Sequence, residues 1–159
     1  PMARICASTE VAGADRVPPL GTKPKTLGGA ITMAAVDVAE FVDAKFVCIF
    51  SESGDSARRM SRLRSLIPML AFTPSEATRR RMALTWGIES VQVDRVGHTD
   101  AMYQQVDDIL LGRKLAKKGD KVVVISGSPP GIPGSTNDLR VHQVGDATSG
   151  AAPVWKTGA

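Results

Sequence analysis

Apolar and polar positions divide this chain into segments with two different periods. Phe46 to Phe50 (FVCIF) is apolar throughout, as expected for a strand buried on both faces of a parallel sheet. Ile67 to Phe72 (IPMLAF) repeats that signature, with Pro68 restricting its start. Ile88, Val91 and Val93 mark a third strand, and Lys121 to Ser126 (KVVVIS) a fourth, the most β-branched stretch of the chain. Leu139, Val141 and Val144 make a last strand. Between these lie helical stripes. Ile31, Ala34, Ala35, Val38, Phe41 and Val42 recur at three and four, with Thr26 as a cap. Ala57, Met60 and Leu63 begin a second stripe that runs to about Arg64. Thr73-Pro74-Ser75-Glu76 reads as a capping box opening a third helix. That helix carries Ala77, Met82 and Trp86 and stops at Gly87. Met102, Val106, Ile109 and Leu110 form the fourth stripe, capped by Thr99 and closed by Arg113, Lys114, Lys117 and Lys118.

The order is helix, then β-α-β-α-β-α-β, then a return strand. It predicts an α/β fold: a three-layer α/β/α sandwich around a five-stranded, mostly parallel sheet with right-handed crossovers. The last strand follows the fourth without an intervening helix and is therefore expected antiparallel and at an edge. Residues 2–9 are weakly helical and read as the cut end of a longer helix. Residues 13–26 hold three prolines and two glycines and read as a linker. The tail from Ala147 is small and polar and is expected to fray.

The stretch after the first strand carries the candidate chemistry. Ser51, Glu52, Ser53, Gly54, Asp55 and Ser56 form a hydroxyl-rich turn leading into a helix. The first amides of a helix lack internal partners, and with the dipole they favour a phosphate. Gly54 allows close backbone approach, and Ser51, Ser53 and Ser56 add hydroxyls. An ordinary serine-capped turn is the competing reading. Residues 127–137 (GSPPGIPGSTN) leave the carboxyl end of the fourth strand, where ligands gather in such sheets. This loop either closes over the turn's ligand or simply reverses the chain.

Composition narrows the choice. The chain has 159 residues, 43% hydrophobic and 23% charged, which suits one soluble domain. No apolar run approaches a membrane span, and no secretory signal pattern is present. Cys6 and Cys48 read as reduced thiols of a cytoplasmic protein. The net charge of +4 arises wholly between residues 51 and 81, which hold seven basic and three acidic residues. This field favours an anionic small ligand. Aromatic content of 4% and the lack of a recognition motif argue against nucleic acid, and Arg79, Arg80 and Arg81 read as a solvated helix face. Neither a P-loop nor G-x-G-x-x-G after a strand is present, and Ser51 stands where a nucleophile elbow needs glycine. His98 is placed in a loop and His142 in the last strand, both read as surface or edge residues. Asp107-Asp108 is assigned to a solvent face. No His/Cys/Asp grouping has metal spacing. From these residues the chain reads as a ligand-binding domain without a catalytic centre.

In order, SESGDSARRMSRLR at 51–64, IPMLAFTPSEATRRRMALTWGIES at 67–90, D-x-x-L…K-K-G-D at 107–120 and VVVISGSPPGIPGSTNDLRVHQVG at 122–145 resemble the C-terminal domain of pyruvate kinase. The resemblance spans about Leu27 to Gly145, and MARIC at 2–6 is similar to the last helix of that family's catalytic barrel. It implies residues 1–26 as barrel-helix end plus linker, 27–146 as the C-terminal domain and 147–159 as tail. It further implies a parent phosphotransferase of glycolysis, making pyruvate and ATP from phosphoenolpyruvate and ADP with Mg²⁺ and K⁺ in a barrel absent here. No catalytic residue, metal or cofactor is therefore expected in this chain. The implied role is regulation and homotetramer assembly, often through the last strand. By the resemblance Ser51, Ser53, Gly54 and Ser56 grip an effector phosphate, and the loop bearing Gly127, Pro130, Gly131, Gly134 and Ser135 folds over its sugar. Asp55 would repel a phosphate, and the segment just before Asp107 lacks the tryptophan that some bisphosphate-regulated members place near a second one. A hexose phosphate, AMP and fructose bisphosphate remain open as effectors. A free-standing phosphometabolite-binding module is the alternative, and a hydrolase using Ser53 and His142 a weaker third.

Overall fold

The structure, a computed structural model, describes residues 2–13, 23–132 and 134–147. The elements follow as α1 (Met2–Gly13), α2 (Leu27–Phe41), β1 (Phe46–Phe50), α3 (Asp55–Arg62) and β2 (Met69–Thr73). Next come α4 (Glu76–Met82), β3 (Ile88–Gln92), α5 (Thr99–Gly112), β4 (Lys121–Gly127) and β5 (Thr136–Gln143). The strands form one sheet in the order β3-β2-β1-β4-β5. The first three pairings are parallel and β4–β5 is antiparallel, so β5 is an edge as expected.

The all-apolar strands are buried because both faces of the sheet are covered. On one face, Val47, Ile49, Met69, Ala71, Val123 and Ile125 pack under Ala35 and Ala39 of α2, Ala57 and Met60 of α3 and Met82 of α4. On the other, Cys48, Phe50, Leu70, Phe72, Val122 and Val124 meet Met102, Tyr103, Val106 and Leu110 of α5. Alternate residues of each strand therefore enter different cores, the period of two expressed in three dimensions. The chain steps outward from β1 to β3 beneath α3 and α4. It then returns across the opposite face through α5 to β4, beside β1. The β1/β4 boundary is thus the point where the winding reverses.

Several local expectations shift. The third helix begins with Ser75 as its cap, accepting from Thr78 N at 3.2 Å, rather than with a Thr73–Glu76 box. Thr73 stays in β2, and its hydroxyl accepts from Ser75 N. The helix also ends at Met82, not near Trp86. Ala83, Leu84 and Thr85 bond back three residues, a tightened turn that leads to Gly87 at φ 68°. Its buried positions are Thr78 and Met82, with Ala77 outward. The cap of α5 is His98, whose Nδ1 accepts from Ala101 N, so Thr99 is the first helical residue. On α2, Thr26 caps as expected, while Phe41 lies outside the core at 91% exposure. β2 starts at Met69, after Pro68, which has no amide to donate. The first helix runs to Gly13, further than residues 2–9, and none of its residues is buried. Residues 14–22 of the expected linker and 148–159 of the expected tail lie outside the described residues.

The largest revision concerns Asp107 and His142. Neither faces solvent: both are sealed in the core, with His142 Nε2 at 2.8 Å from Asp107 Oδ1. Asp107 occupies the buried stripe of α5, and its polarity, which suggested a surface, instead meets a ring on β5.

Candidate functional site

Two segments converge at the carboxyl ends of β1 and β4. The turn after β1 ends at Gly54, which caps α3 in a left-handed conformation at φ 86°. Only glycine adopts this readily. Its amide donates to Ser51 Oγ at 3.0 Å, and Asp55 N donates to Ser53 Oγ at 3.3 Å. Both serine oxygens therefore close the turn, which leaves their hydroxyl hydrogens free to donate. The amides of Ser53 and Ser56 have no hydrogen-bond partner among the described residues. Ser56 Oγ lies 2.5 Å from Thr136 Oγ1 at the start of β5, which ties the turn to the far end of the second segment.

That second segment is the β4–β5 loop. Ser128 N donates to Asn137 Oδ1 at 2.7 Å, and Asn137 Nδ2 returns to Ser128 O at 2.8 Å. This reciprocal clamp fixes the loop's neck. Gly127 is required there, since a Cβ would sit 2.1 Å from Ser135 Oγ and 3.2 Å from Ser135 O. Ser135 Oγ donates to Ile132 O and shapes the loop's return.

Between the two segments lies an open cleft. Ser51, Glu52, Ser53, Asp55 and Ser56 line one wall, and Gly127, Pro130, Gly131, Gly134 and Ser135 the other. Of the residues picked from sequence, Gly54 alone does not line it. A side chain there would face Arg58, Thr78 and Met82, so its part is conformational rather than one of close approach to a ligand. The floor is apolar, with Phe50 stacked on Phe72 at 4.9 Å, and Met102, Val93 and Val96 nearby.

The electrostatics differ from a simple basic pocket. None of the seven arginines between residues 51 and 81 lines the cleft. Arg58 pairs with Asp55, which neutralises the carboxylate expected to repel a phosphate. Arg59 donates to Thr26 Oγ1, and Arg64 lies over the Trp86 ring. Arg79 and Arg80 both bond Glu76, and these hydrogen bonds, Arg79 first, hold its carboxyl down at about 2. The cation that does line the cleft is Arg95, bonded to Glu52 at 2.9 Å. Arg95, Gln105 and Thr136 were not singled out from sequence. Thr136 directly follows the G-S-T-N signature's serine, whereas Arg95 and Gln105 come from segments with no motif.

A doubly wound sheet with a cleft across its reversal point, walled by a strand-to-helix turn and a hairpin loop, places the chain in the doubly wound class of α/β domains. The family model for the pyruvate kinase alpha/beta domain matches residues 29–142, and the chain belongs to that family. It is 45% identical over 147 residues to a pyruvate kinase of Corynebacterium glutamicum and 44% identical over 142 residues to one of Mycobacterium tuberculosis. These matches cover 92% and 89% of this chain and 30% of each relative. A pyruvate kinase of Agrobacterium vitis is 40% identical over 116 residues, 73% of this chain and 24% of the relative. The chain thus spans about 30% of the length of these two curated relatives. The crystal structure of a pyruvate kinase from Cryptosporidium parvum superposes with a TM-score of 0.69 at 21% identity, over 87% of this chain and 26% of that one. That likeness concerns the fold.

Proposed function

We propose that this domain is the regulatory and assembly part of a pyruvate kinase, and that its cleft binds a phosphorylated small-molecule effector. One observation carries the reading: the serine turn after β1 and the glycine-rich loop after β4 wall the same cleft. The turn supplies hydroxyls and two unpartnered amides for a phosphate, and the apolar floor accepts the remainder of the ligand. Phosphoryl transfer from phosphoenolpyruvate to ADP, with its Mg²⁺ and K⁺, belongs to the parent protein's catalytic barrel. Among the described residues no group of three His, Cys, Asp or Glu side chains is placed to hold a metal ion. Among the same residues no helix is long and apolar enough to cross a membrane. The edge strand β5 offers a row of backbone groups for pairing with a second copy within a homotetramer.

Calorimetric titration of the 159-residue chain with inorganic phosphate, glucose 6-phosphate, AMP and fructose 1,6-bisphosphate tests the site. Saturable binding of at least one, abolished by Ser53→Asp, is expected. No binding by any of them, or binding that Ser53→Asp leaves intact, overturns it. No turnover of phosphoenolpyruvate by the chain is expected.

A further inference from the structure

We propose that Gln105 sets the specificity of this cleft by accepting a hydrogen bond from a donor group of the ligand other than its phosphate. The inference rests on the phosphate reading above and deepens it.

Gln105, on α5, lines the cleft beside Val93, Asp94, Arg95 and Met102. Its Nε2 donates to the Asp94 carbonyl at 2.8 Å. A carbonyl only accepts, so the NH₂ end of the amide must face it, and the oxygen must occupy the other position. That oxygen, Oε1, is buried and has no hydrogen-bond partner among the described residues. Buried acceptors are nearly always satisfied, so an orphan on a residue that lines the cleft marks where a donor belongs. Hydroxyl and exocyclic amine groups meet that need, whereas an ionised phosphate, which only accepts, does not.

The charges beside Gln105 agree. Asp94 and Arg95 line the cleft there, and Arg95 is already paired with Glu52 of the serine turn. A second phosphate beside Gln105 would meet the Asp94 carboxylate and no cation among the lining residues beyond that paired Arg95. Arg95 is two-thirds exposed while Glu52 is mostly buried, so the pair holds the cleft's acidic wall in place.

Fructose 6-phosphate and fructose 1,6-bisphosphate make a minimal pair, differing by one hydroxyl replaced with phosphate. The 159-residue chain is expected to bind the monophosphate at least about tenfold tighter. Gln105→Met should weaken fructose 6-phosphate about tenfold and leave inorganic phosphate unchanged. Gln105→Glu, which keeps an acceptor, should retain the preference for the monophosphate. Tighter binding of the bisphosphate, or an unchanged ratio in Gln105→Met, overturns the assignment while inorganic phosphate still binds. If inorganic phosphate, fructose 6-phosphate and the phosphorylated ligands named above all fail to bind, the phosphate reading falls, and this inference with it; if one of those binds while fructose 6-phosphate does not, this inference alone falls.

Discussion

His142 on β5 and Asp107 on α5 meet through Nε2 and Oδ1 at 2.8 Å, both sealed from solvent. The second oxygen of Asp107 accepts from Ala147 N at 3.1 Å, so one carboxylate secures both the edge strand and the segment beyond it. Tyr103 stacks on the His142 ring at 5.3 Å, and the Arg140 guanidinium lies over the Tyr103 ring at 4.3 Å. Removing one partner strands the other in the core. Asp107→Ala should therefore lower unfolding stability by about 3 kcal/mol. Replacing both partners by apolar residues should recover part of this loss, with a coupling above about 1 kcal/mol in a double-mutant cycle. Urea unfolding of the four proteins measures it, and additive losses would contradict the pairing.

Gly54 at φ 86° tests the turn's geometry independently of any ligand. Gly54→Ala places a Cβ in a left-handed conformation and about 3.2 Å from the Arg58 guanidinium. The expected loss is about 1–2 kcal/mol. Gly112, in α5 with open space around it, is the control: Gly112→Ala should be neutral or slightly stabilising by thermal melting.

Asn137 holds both backbone polar groups of Ser128, so Asn137→Ala should release the loop's neck. Hydrogen exchange at the Ser128 amide should accelerate by about tenfold or more, since a net hydrogen bond contributes about 1 kcal/mol and two are lost. Exchange in β1 should not change.

Glu76 is held at about 2, below an ordinary value of 4.5, by its bonds to Arg79 and Arg80. A depressed carboxyl stabilises the fold above its unfolded value and loses that contribution as pH falls through its folded one. Acidification from about pH 4.5 to 2 should thus destabilise the native chain more than Glu76→Gln. The difference should shrink in salt, because the pair is partly exposed. NMR titration of the Glu76 carboxyl gives the direct value.

The two cysteines should differ sharply. Cys48 is fully buried in β1, and that burial, aided by Asp107, pushes its thiol far above the usual range. Cys6 is exposed on α1. One thiol per chain should react with iodoacetamide in the native state, and two only after unfolding.

The sheet was legible in the sequence because buried strands carry a strong local signal: five-residue apolar runs between turn residues. The serine turn and the glycine loop were legible as segments, and the strand order explains why they meet. Pairing across distance was not legible. Asp107 looks polar in any window, and only the packing of α5 on β5 shows that His142 awaits it. The same holds for Gln105, whose significance depends on the Asp94 carbonyl, a backbone group that no residue type announces. Helix starts were misread by one or two positions where several capping residues stood together, as at Thr73 to Glu76, and the choice fell to strand pairing.

The clamp between Ser128 and Asn137 has a mechanical corollary. Asn137 is itself part of β5, the outermost rail of the sheet. Any guest that draws the glycine-rich flap inward pulls through that amide on the rail, while β1 beneath stays braced by a neighbour on each side. On the proposed reading, occupancy of the cleft would thereby become a shift at the margin, the side on which a second subunit is proposed to pair.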